Sequence, residues 1–166
     1  IQEQADIITF HVPLNMDGPD CTFHMVSAEF LQGLKKKAII INTCRGEVFD
    51  TKAVCEAKLS DYISGIIVDC WENVPELELD LLKLVDYGTS HIAGYSKDGK
   101  AKGTMMSVRA ISSFFGFGID DWNPSGVEIP SNPVIELDGS GKHEEEILSE
   151  VILSTYEIES DDKTLR

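Results

Sequence analysis

Three short runs of β-branched and apolar residues constrain this chain most: Ile7-Ile8-Thr9-Phe10, Ala38-Ile39-Ile40-Ile41 and Gly65-Ile66-Ile67-Val68. A strand with one wet face alternates apolar and polar residues. These runs barely alternate, so they predict buried strands. Tyr87-Gly88-Thr89 predicts a short fourth strand. Helix signals lie between them. Ser27 is placed to cap a helix carrying Phe30, Leu31 and Leu34, and Asp50 or Thr51 one running through Val54, Ala57 and Lys58. Leu77 to Leu84 makes a third, with Leu81, Leu82 and Val85 inward. Strands alternating with helices predict an α/β fold, a parallel sheet with helices on both faces.

From Ser96 to Phe115 the pattern is helical and rich in Ala, Ser and Met, and Gly116 and Gly118 break it. Pro124, Pro130 and Pro133 then interrupt the chain, and Glu144-Glu145-Glu146 opens an amphipathic helix with Ile147, Leu148, Val151 and Ile152. A domain boundary is expected near Gly118. The net charge of -15 opposes nucleic-acid binding, which needs clustered cations. Lys35-Lys36-Lys37, the one basic cluster, reads as a solvated turn. Cys21, Cys44, Cys55 and Cys70 form no C-x-x-C pair and read as free thiols in a reducing cytoplasm. No apolar stretch is long enough to span a bilayer, and no signal peptide is evident. Ile1 and the polar stretch ending at Arg166 read as cuts rather than natural termini.

Ligands of open parallel sheets bind beyond the carboxyl ends of the strands. The residues with chemistry to offer fall at that predicted edge: His11 after the first strand, Asn42, Cys44 and Arg45 after the second, Asp69 at the end of the third and His91 after the fourth. Arg45 is one of three arginines, and Gly46 beside it would let backbone approach a ligand. Its guanidinium suits a carboxylate; the competing reading is an ion pair with Glu47 or Asp50. His91 could shuttle a proton in alcohol oxidation, or simply close a strand through a hydrogen bond. Asp69 could face a cofactor amide or ribose, or cap the following loop. His24 and His143 receive no role. No His and Cys spacing matches a metal site, and Gly94 and Gly99 make no phosphate-binding loop.

Four segments carry a family likeness. Ala5-Asp6-Ile7-Ile8-Thr9-Phe10-His11-Val12-Pro13-Leu14, Ile41-Asn42-Thr43-Cys44-Arg45-Gly46, Val68-Asp69-Cys70-Trp71-Glu72 and Ser90-His91-Ile92-Ala93-Gly94 resemble, in order, motifs of the D-isomer-specific 2-hydroxyacid dehydrogenases. Asn15 to Asp20, Cys44 before the arginine and the run from His91 to Thr104 resemble one branch, which acts on a small phosphorylated hydroxyacid as a homodimer. The resemblance implies that 1–95 is the C-terminal part of a Rossmann-type NAD-binding domain with a partial doubly wound sheet. It implies that 96–118 is a long helix returning toward a substrate domain. It implies that 119–166 starts an α+β C-terminal dimerisation domain. It also implies roles: Arg45 and His91 catalytic; His11, Val12, Pro13, Cys44, Asp69 and Gly94 at NAD; Arg45, His91 and Tyr95 at the substrate.

Two departures stand out. The family places a glutamate before the proline of its W-E-x-E-P segment, where it pairs with the histidine; here that position is Val74, with Glu72 and Glu76 as conceivable replacements. No G-x-G-x-x-G is present, so the pyrophosphate loop is expected before Ile1. The chain alone is therefore expected to bind NAD poorly and to be inactive. A non-catalytic dinucleotide-binding or dimerisation module on the same fold is the competing reading.

Overall fold

The computed structural model describes residues 3–127 and 133–166; Pro130, one of the expected chain breaks, lies outside them. Two compact units result, Ile1–Ala93 with Glu157–Arg166, and Gly94–Tyr156.

The first unit holds four parallel strands in chain order: β1 (Ile7–Phe10), β2 (Ile39–Asn42), β3 (Gly65–Val68) and β4 (Tyr87–Gly88). Local chemistry starts the helices between them. Ser27 accepts a hydrogen bond from the Phe30 N–H to open α1 (Ala28–Gln32), and Asp50 accepts one from the Ala53 N–H to open α2 (Thr51–Leu59). The third helix, α3 (Leu79–Leu84), is shorter than expected, but Leu81 and Val85 are buried as read from the sequence.

Strand order equal to chain order has a consequence. Each right-handed crossover steps the same way, so α1, α2 and α3 fall on one face. In agreement, α1 contacts α2 and α2 contacts α3. Phe10, Ile40, Asn42, Ile66 and Val68 are buried on that face, packed with Val26, Phe49, Val54 and Ile63. Each apolar side chain so buried contributes about 1.5–3 kcal/mol. The register aligns Ile7 with Ile39 and Thr9 with Ile41 and Ile67 on the other face, where Ile7 and Thr9 are exposed and the others half-buried. Cover on both faces was expected; among the described residues α1–α3 close one.

The chain end differs from expectation more clearly. The polar stretch ending at Arg166 shows no evident closure as a sequence, and 119–166 is expected to start a dimerisation domain, yet α6 (Ile158–Leu165) packs on β4 and belongs to the first unit. Asp162 accepts a hydrogen bond from the Gly88 N–H at 2.7 Å, and Arg166 holds Asp162 while donating to the carbonyls of Leu82 and Val85. Arg166 keeps the Asp162 carboxyl below its usual pKa. A mostly polar octapeptide thus gains its place by capping the sheet edge and the end of α3.

The second unit contains α4 (Lys97–Phe115), capped by Ser96 and ended by Gly116 in the left-handed region, and α5 (Glu144–Thr155). Glu146 accepts a hydrogen bond from the His143 N–H at the start of α5. Among the described residues no helix is long and apolar enough to cross a membrane.

Candidate active site

The carboxyl ends of β1 to β4 carry the residues singled out above. The turn after β1 is built on Thr22, whose hydroxyl donates to the Pro13 carbonyl at 2.6 Å and accepts from the Asn15 N–H at 2.8 Å. It leaves His11 and Pro13 exposed and packs Val12 against the core. The His11 Nε2 lies 2.8 Å from the Thr9 hydroxyl.

The turn after β2 leaves Arg45 exposed. Its guanidinium donates to the Cys44 carbonyl at 2.6 Å. Neither Glu47 nor Asp50 pairs with it, so the competing ion-pair reading does not describe this turn: Asp50 caps α2, and among the described residues Arg45 has no carboxylate partner. Cys44 is buried, with Sγ 3.2 Å from Asn42 Oδ1.

Gly46 does something other than expected. A Cβ there would lie 2.0 Å from the carbonyl carbon and oxygen of Trp71 and 2.4 Å from the Glu72 nitrogen. The close approach it permits is to the backbone after β3, not to a ligand. The 3₁₀ turn Gly46–Val48 is pressed against that backbone.

Asp69 is 3 % exposed. One carboxylate oxygen accepts from the Thr89 hydroxyl (2.6 Å) and the Ile92 N–H (2.7 Å), the other from the Ala93 N–H (2.9 Å). Its carbonyl accepts the His91 N–H at 2.8 Å. Of the two readings offered by the sequence, this geometry matches the loop cap. The network holds His91 at φ 58, a conformation uncommon for a non-glycine residue, and leaves it exposed. Next to Asp69, burial foremost and then the carboxylate push the Cys70 thiol up to about 12, so it stays protonated near neutral pH.

Glu72 and His24 form a contact that no local pattern announces. His24 Nε2 lies 2.6 Å from one Glu72 oxygen, and the other accepts the Thr51 N–H at the start of α2. The partners are 48 residues apart and share no motif. Glu72 is thereby engaged by His24 and the Thr51 N–H, and Val74, where the family's glutamate is expected, is 63 % exposed.

Gly94 and Tyr95 belong to the second unit. Gly94 has φ 79, and Tyr95 is exposed with the Lys100 ammonium 3.1 Å from its ring centroid. A hydrogen bond and charge from Lys100 lower the Tyr95 pKa.

In the first unit, then, a guanidinium with no carboxylate partner among the described residues follows one strand, and an imidazole on a carboxylate-braced loop follows the strand two places away. With neighbouring strands about 4.8 Å apart, the two turns leave the sheet roughly 10 Å from each other. A cation and an imidazole thus leave the same edge of the parallel sheet. The family model for the D-isomer specific 2-hydroxyacid dehydrogenase NAD binding domain matches residues 1–93, and the chain belongs to that family. It is 39% identical over 165 residues to the erythronate-4-phosphate dehydrogenase of Porphyromonas gingivalis, covering 99% of this chain and 44% of that protein. It is 50% identical over 115 residues to that of Bacteroides fragilis, covering 69% and 33%. The chain thus spans less than half the length of these relatives. Among solved structures, D-lactate dehydrogenase of Aquifex aeolicus complexed with NAD and lactic acid superposes with a TM-score of 0.58 at 25% identity, over 72% of this chain and 40% of that one. NAD is the cofactor of the matched domain.

Proposed function

We propose that this chain is the cofactor-domain part of an erythronate-4-phosphate dehydrogenase. In that reading the intact protein oxidises 4-phospho-D-erythronate to 3-hydroxy-2-oxo-4-phosphooxybutanoate during pyridoxal phosphate (vitamin B6) biosynthesis, as a cytoplasmic homodimer. The observation that carries it is the exposed Arg45 guanidinium, without a carboxylate partner among the described residues, on the same sheet edge as His91. An exposed cation beside a buried, closed turn is a place to hold an anion.

Bound NAD would supply the hydride acceptor; the exposed rim of His11 to Pro13 and the Cys44 turn fit a dinucleotide lying across the strand ends. Arg45 grips the substrate carboxylate and polarises the C2 oxygen. His91 takes the hydroxyl proton as hydride departs from C2, so that no free alkoxide forms. Asp69 serves this step by fixing the His91 loop. Family likeness alone assigns Gly94 to the cofactor and Tyr95 to the substrate. The phosphorylated substrate itself comes from the named relatives.

Replacing Arg45 by alanine in an intact protein of the relatives' length tests the reading. Turnover per bound hydroxyacid should fall about a thousandfold, while NADH affinity stays within about twofold. Unchanged kcat/KM would remove Arg45 from the site and with it the main support for catalysis.

A second reading, a dinucleotide-binding module without catalysis, is favoured by Val74 and by the engagement of Glu72 with His24. Val74→Glu separates the two. An anion beside an imidazole favours its protonated form. In an enzyme the acid limb of the oxidation profile should therefore move to higher pH, with turnover rising about tenfold or more. A silent protein that stays silent after this change favours the module.

A further inference from the structure

Asn42 ends β2 with its side chain turned into the protein, 0 % exposed, where the other buried residues of its strand face are apolar. A buried amide costs free energy unless its donors and acceptor are used, and here they are used on a single short turn. Nδ2 donates to the Arg45 carbonyl at 2.9 Å. Oδ1 accepts the Cys44 N–H at 3.1 Å and the Cys44 thiol at 3.2 Å. One side chain therefore fixes the peptide groups on both sides of the Cys44–Arg45 link. Its own main-chain carbonyl accepts the Asp69 N–H at 2.9 Å, so the same residue joins the Arg45 turn to the strand that braces His91.

We propose that Asn42 is a positioning residue for Arg45: its carboxamide sets the height and direction of the guanidinium relative to the third strand. This rests on the dehydrogenase reading given above. Leucine would fill the space but leave the Arg45 carbonyl and the Cys44 N–H unpaired. Aspartate would keep the shape and the Cys44 bonds, yet turn an oxygen toward the Arg45 carbonyl and offer the guanidinium a carboxylate to fold back on. The aspartate change, which keeps the Cys44 bonds, acts on hydroxyacid recognition through Arg45, whereas leucine would disturb the Cys44 turn at the cofactor as well.

The test is a double-mutant cycle in the intact protein, with Asn42→Asp, Arg45→Lys and both together. The readouts are kcat and KM for 4-phospho-D-erythronate, the Kd of oxalate as a carboxylate probe, the Kd of NADH and the thermal midpoint. Asn42→Asp should raise KM and weaken oxalate by tenfold or more, leave NADH within twofold, and add little once Arg45 is already lysine. Parallel losses in oxalate and NADH affinity, or effects that multiply in the double variant, would mean general structural damage and overturn the proposal. Should Asn42→Asp not fold, Asn42→Ser carries the same cycle, keeping an oxygen but no amide donor. If Arg45→Lys alone leaves KM and oxalate binding unchanged, the dehydrogenase reading of Arg45 has failed. If Arg45→Lys has its effect and Asn42→Asp has none, only the role of Asn42 has failed.

Discussion

Replacing Gly46 by alanine should all but abolish folding of the first unit. The added carbon would meet Trp71 and Glu72 backbone at 2.0–2.4 Å, and backbone cannot rotate away as a flexible side chain can. Relief requires the 3₁₀ turn Gly46–Val48 to lift from the strand end, and with it Val48 and Phe49, buried to 0 % and 1 % exposure. Overpacking of ordinary side chains costs about 1–3 kcal/mol. A main-chain collision lies at or beyond the top of that range, a large fraction of the stability of any domain. Thermal unfolding of the intact protein should show the midpoint lowered by roughly 10 °C or more, or no soluble protein at all. A midpoint within about 2 °C of the parent would show that the turn is far softer than its packing indicates.

The second large effect is expected from Asp69→Asn. The change keeps the shape but exchanges a three-donor acceptor for a group with one oxygen, and sets an amide NH₂ against the Ile92 or the Ala93 N–H. A buried donor left unpaired costs about 1–3 kcal/mol. The loop carrying His91 should open more often, and hydrogen exchange at Ile92 and Ala93 should accelerate about tenfold to a hundredfold. In the intact enzyme kcat should fall by about a hundredfold while NADH affinity changes little. This outcome separates the two roles considered for the residue. Had Asp69 held the cofactor directly, the Kd of NADH would rise instead, and exchange in the loop would stay as it was.

What could be read in advance was local. Ile7–Phe10 and Gly65–Val68 are strands because of their β-branched runs, and Ser27 and Asp50 cap helices because each offers an oxygen to an N–H three residues on. The placement of Arg45 and His91 at strand ends followed from the same runs. What could not be read depends on partners far along the chain. Gly46 announced a close approach, but its partner at Trp71 is set by β2–β3 pairing. Asp69 offered two readings until the loop from Thr89 to Ala93 was in place around it. His24 looks like an ordinary polar residue in isolation, and nothing local ties it to Glu72, 48 residues on. The last helix was missed for a related reason: it is short and mostly polar, and its place is fixed by Gly88, Leu82 and Val85.

That last helix has a consequence for how the molecule is made. The chain leaves the first unit at Ala93 and rejoins it at Glu157, so the unit is discontinuous in sequence. During synthesis the four strands and their helices emerge early, whereas the edge of β4 keeps its Gly88 N–H uncovered until the whole intervening stretch has been translated. A cut within it would leave α6 attached only by its hydrogen bonds and packing to Gly88, Leu82 and Val85, turning an intramolecular clasp into a weak peptide ligand.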